Sequence, residues 1–139
     1  MANKKRNTQK TINSLMGWPD NKGPFPSSLV ECCEKACAKP LNDLSLSELQ
    51  ALIQNQIALP LVVERAVSEL SENPLLCARH FEGDMMQTVL KLPHGFWHEN
   101  RDLWLSVSDL LSSFQAQVAE INDAAVVFQA ATAPRRVDV

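Results

Sequence analysis

The chain has 139 residues, 45% of them hydrophobic and 21% charged, with 13 basic against 16 acidic side chains for a net charge of −3. This length and balance suit one globular domain and exclude a collagenous, disordered or disulfide-stapled chain. Residues 1–10 carry +4 and residues 41–125 carry −8, so an acidic body bears a short basic arm. Such a body favours a basic partner and repels phosphate backbones. No run of 18 apolar residues is present, so no membrane span is expected. The basic arm lacks the apolar stretch and small-residue cleavage site of a secretory signal. Cys32, Cys33, Cys37 and Cys77 are therefore read as reduced thiols in a cytosol.

Prolines and glycines cut the chain into short segments with helical periodicity. Residues 11–16 make one or two turns, with Ile12, Leu15 and Met16 on one side. WPDNKGPFP (18–26) is irregular. Ser27 or Ser28 caps a helix to about Ala38, with Leu29, Val30, Cys33, Ala36 and Cys37 as its apolar face. Ser45 and Glu48 form a capping box ahead of Leu49, Leu52 and Ile53. Pro60 opens a further helix with Val63, Ala66, Val67 and Leu70 as its core stripe, and Asn73-Pro74 stops it. Asp84 is the expected cap of a short helix bearing Met85, Met86, Val89 and Leu90.

PHGFW (93–97) reads as a turn. Asn100 or Asp102 begins the longest helix, with Leu103, Val107, Leu110, Leu111, Phe114, Val118 and Ile121 as its stripe. Asn122-Asp123 offers a break, and AAVVFQAATA continues as a last helix. No segment alternates long enough to be a strand. The expectation is an all-α single domain: a compact bundle of about seven short helices over 11–133, a flexible basic arm at 1–10 and a frayed tail at 134–139. Most of the aromatics before the last helix are assigned to the core.

Chemical motifs are few. Cys33/Cys37 and His94/His98 each stand four apart, but neither gives the paired knuckles of a zinc site. No nucleophile motif and no phosphate-binding loop occurs. The segment 45–72 has a helix-turn-helix outline, yet its second helix carries Glu64, Glu69 and Glu72 against Arg65 and would be repelled by nucleic acid. These observations point to a protein-binding domain without metal, cofactor or catalytic centre.

The order of segments resembles the all-helical immunity proteins of bacterial contact-dependent growth inhibition systems. The resemblance runs through Trp18-Pro19, Leu29-Val30, Cys33, Lys39-Pro40-Leu41 and LSLSELQALIQNQIALPLVVERAVSEL. It continues through Asn73-Pro74-Leu75, FEGDMMQTVL with Gly83-Asp84, and Phe96-Trp97, covering about residues 11 to 111. Gln50 stands where such proteins commonly have a basic residue, and Met85-Met86 replaces a leucine pair. The arm and the region beyond about residue 112 have no counterpart.

The resemblance implies a non-enzymatic cytoplasmic inhibitor. Its partner would be the toxin domain encoded beside it, bound 1:1, typically a basic nuclease, with no membrane and no direct nucleic-acid contact. Slow dissociation and charge complementarity would serve that role. The motif residues are then caps, turns and core. Recognition is assigned to Glu64, Glu69 and Glu72 with the loop Arg79, His80, Phe81 and Glu82. Glu69 and Glu72 share a helix face, while Arg65 is placed to pair with Glu69. The competing readings are a helical adaptor or regulator unrelated to toxins, and a nucleic-acid-associated protein using the basic arm.

Overall fold

Local chemistry starts and stops most of the helices in the computed structural model, which describes residues 10–131. Thr11 accepts a hydrogen bond from the Ser14 amide and opens α1 (Ile12–Met16), which Gly17 closes in the left-handed conformation. Ser27 accepts from the Val30 amide and opens α2 (Ser28–Cys37). After a 3-10 turn at Leu41–Asp43, the Ser45–Glu48 capping box opens α3 (Leu46–Gln54) with both reciprocal bonds made. Pro60 occupies the first turn of α4 (Leu59–Glu72), where its missing N–H costs nothing. Then follow α5 (Asp84–Leu90), α6 (His94–Glu99) and α7 (Arg101–Ala130).

Among the described residues there are seven α-helices and no strand, only isolated bridges at Thr11–Pro40 and Cys77–Glu82. The all-α reading of the sequence therefore holds, with two differences in the helix list. PHGFW is not a turn: it lies in α6, where Phe96 and Trp97 pack edge-to-face at 4.9 Å and lean on the core. That packing outweighs the helix-breaking tendency of Gly95. Asn122-Asp123 does not break α7, which runs unbroken for 30 residues, about 45 Å. Two poor helix formers in a row cost only about 1 kcal/mol, too little to end a helix flanked by alanines and valines.

The centre of the molecule is α4, which packs on α3, α5 and α7, while α3 also packs on α2 and α5. The largest fully buried side chains of the molecule are Ile12, Leu49, Leu52, Ile53, Val62, Val63, Leu70, Met85 and Val89. Each contributes about 1.5–3 kcal/mol of transfer free energy. The core is aliphatic, which corrects the assignment of most aromatics to it. Trp18, Phe81, Trp104 and Phe128 are exposed, and Phe25, Phe96, Trp97 and Phe114 are half-buried. The helix crossings are filled by branched aliphatics and methionine, with Phe96 and Trp97 packed at their edge. Lys10, assigned to the arm, offers its carbonyl to the Leu41 amide at 2.9 Å. The rest of the arm and the tail at 134–139 lie outside the described residues.

Candidate functional site

The segment between α4 and α5 is built to hold one shape. Leu76 is buried and anchors it. The Asn73 side chain accepts from the Leu75 amide at 3.1 Å, and the Gly83 amide donates to the carbonyls of Leu75 and Leu76. Gly83 sits at φ +89°, a backbone conformation that costs other residues about 1–2 kcal/mol.

Asp84 completes the brace, in a different way from the helix cap expected of it. It is the first residue of α5 and makes no side-chain cap there. Its carboxylate reaches back into the loop instead. One oxygen accepts from the Ala78 amide at 2.7 Å, and the other accepts from Arg79 at 3.0 Å and His80 at 2.9 Å. Burial alone would raise this carboxyl, but the amides of His80, Ala78, Arg79 and Phe81 overcome it and hold the pKa down at about 2. Asp84 is thus a buried anion that gathers three consecutive backbone donors.

The brace turns the side chains of residues 79–82 outward. Arg79, His80, Phe81 and Glu82 are all exposed, and Phe81 shows 51% of its surface. His80 and Phe81 stand at the mouth of a groove of about 360 Å³ between α3 and α5. Its walls carry Gln50, Gln54, Gln56 and Gln87, with Lys91 at one side. Gln50 is buried and donates to Thr88 Oγ1 at 3.2 Å, while Thr88 donates to the Asp84 carbonyl at 2.9 Å. This chain of bonds ties α3 to the brace. An amide-rich surface of this kind pairs with backbone and polar groups of a partner.

The α4 half of the sequence-based patch lies elsewhere. Glu64 and Glu72 are exposed, but neither they nor Glu69 lines the groove. Glu69 is half-buried and ion-paired with Arg65, as the spacing anticipated. The structure therefore gathers four of the seven expected residues on one loop, two of them at a groove. The groove amides went unread in the sequence, although Gln50 and Gln54 fall four apart on an apolar helix. A second cleft, of about 460 Å³ between α6 and α7, is lined by His94, Trp97, His98, Arg101 and Trp104.

The remaining chemistry is plain. Cys33 and Cys37 are buried, and burial pushes both thiols up, Cys37 to about 11, so they pack as small hydrophobes. Among the described residues no group of three His, Cys, Asp or Glu gathers for a metal, and no helix is long and apolar enough to cross a membrane.

The braced loop and the amide-lined groove lie side by side on an acidic helical body. The family of CDI immunity proteins matches residues 16–107, two-thirds of the chain, and the chain belongs to that family. That stretch begins in α1 and ends in the first third of α7, so it contains the brace, the loop and the groove. No curated protein and no solved structure matches the chain.

Proposed function

We propose that this chain is the cytoplasmic antidote to the toxin domain encoded beside it, a basic nuclease, which it binds 1:1 through the 79–82 loop. The observation that carries the reading is the brace. A loop exposing Phe81 between Arg79, His80 and Glu82 is held by a buried carboxylate before any partner arrives. A pre-ordered loop loses little entropy on binding, and an exposed aromatic at its tip is the kind of residue that anchors an interface. Charge supports it too. Residues 10–131 hold 8 basic against 15 acidic side chains, a net −7, and that field speeds encounter with a basic partner. Glu64 and Glu72, exposed on α4 outside the groove, contribute to on-rate through the long-range field, while Glu69 is partly neutralised by Arg65.

The test is a titration of the purified chain against the polypeptide domain encoded immediately upstream, with nuclease activity followed alongside. Nanomolar 1:1 binding with activity lost at equivalence is the expected result. Phe81→Ala is expected to weaken binding at least tenfold through faster dissociation. Charge reversal at Glu64 and Glu72 is expected to lower the association rate and its salt sensitivity. No binding at micromolar concentration would discard the reading and leave the adaptor class.

A further inference from the structure

Among the described residues, the second half of α7 is not packed into the core. Leu103, Val107 and Leu110 turn the first third of the helix onto the core. Beyond them the helix continues for 20 residues to Ala130. Ile121, Val126, Val127 and Phe128 show between 63% and 79% of their surfaces. A free helical end of that length is marginal in water unless something covers its apolar face.

The apolar residues there follow a strict pattern. Leu111, Phe114, Val118, Ile121, Ala125 and Phe128 are spaced alternately three and four apart. They are the a and d positions of two and a half heptads, the seam of a coiled coil. The acidic residues Asp102, Asp109, Glu120 and Asp123 all fall at c or f, away from that seam. The flanking e and g positions from Ser108 onward are Ser108, Leu110, Gln115, Gln117, Asn122, Ala124 and Gln129, none of them charged. A partner chosen by charge would meet acids beside the seam; a second copy of an acidic chain needs them absent, which is what the helix shows. The family match ends at residue 107, so this seam is an addition to the shared domain.

We propose that this segment of α7 pairs antiparallel with the same segment of a second copy of the chain. In that register an a residue meets a d residue across the two-fold axis. Leu111 faces Phe128, Phe114 faces Ala125 and Val118 faces Ile121, so one ring lies against the smallest side chain of the seam and the other against a leucine. The antiparallel sense places the two bodies at opposite ends of the pair. Two such faces cover on the order of 1,200 Å² together, the lower edge for a specific interface, so a reversible dimer is expected.

The proposal does not depend on any toxin, and its test uses the full chain alone. Sedimentation equilibrium is expected to show a mass rising from 15.5 kDa toward twice that value across micromolar concentrations. Ile121→Asp is expected to raise the dimer dissociation constant at least tenfold. Asp123→Lys, on the opposite face, is expected to leave it within about twofold. Both positions are exposed, so the melting temperature of the body reports that each variant is folded. A spin label at Ala130→Cys, with Cys32 and Cys77 changed to Ser, is expected about 30 Å from its mate in this register. A separation of about 10 Å would overturn the antiparallel sense. A single 15.5 kDa species at every concentration, or a dimer that Ile121→Asp leaves intact, would overturn the pairing itself.

Discussion

α4 and the second half of α7 carry the same kind of sequence, and the fold treats them in opposite ways. In α4, Val62, Val63, Ala66 and Leu70 are fully buried between α3, α5 and α7. In α7 only Val107 is buried, and Ile121 and Phe128, at the same helical spacing, face outward. Amphipathic periodicity marks a face that seeks cover, and only the packing of the whole chain says whether its own core supplies it. The loop between α4 and α5 belongs with the first region, since its shape depends on a buried anion as firmly as α4 depends on buried methyl groups.

Substitutions at four positions sharpen that contrast. Leu52→Ala, in α3 against α4, removes a side chain with no exposure and is expected to cost about 3–4 kcal/mol in urea unfolding. A loss under about 1 kcal/mol would mean the centre is loosely packed. Asp84→Ala strands three backbone amides and is expected to cost about 3 kcal/mol, more than a lost cap would. It carries a pH signature as well. The folded carboxyl sits at about 2 against an ordinary 3.8. Its contribution, about 2 kcal/mol, is therefore complete above pH 4 and drains away as pH falls through 2. An acid titration of Asp84→Asn stability should lack that component, and an unchanged acid profile would show that the brace is weak.

Two smaller effects complete the series. Gly83→Ala is expected to cost about 1–2 kcal/mol, because φ is +89° there while the nearest atom to an added Cβ, from Leu75, stands at an ordinary 3.5 Å. The penalty is thus conformational, and Gly83→Asn should recover part of it. Val127→Ala, on α7 at a position off the seam, is expected to change thermal stability by under about 0.5 kcal/mol. A larger loss there would place this end of α7 inside the cooperative core and erase the distinction between the two regions.

Much of the helical order was legible because its causes are local. Ser27, the Ser45–Glu48 box, Pro60 and Asn73-Pro74 act within four residues of themselves, so their chemistry can be read from the string. Part of the site was legible on the same terms: a loop carrying Arg79, His80, Phe81 and Glu82 between two helices, outside any apolar stripe. The groove was not, because Gln50 and Gln87 come to line one groove only through the packing of α3 against α5. Asp84 was half-legible. Its place beside Gly83 at a helix start was plain, but its bonds run backward to Ala78, Arg79 and His80 rather than forward into α5. A short carboxylate can serve either set of amides, and only the path of the loop selects between them.

The sequence alone determined the class of fold, the family and the acidic character of the body, since periodicity, capping chemistry and charge are properties of the chain itself. The tertiary structure decided which apolar faces are covered. It put Val62 and Leu70 at zero exposure and left Ile121 and Phe128 open. It also made Asp84 the organiser of a loop. Burial and hydrogen-bond direction depend on which elements meet, and no local spacing encodes that meeting.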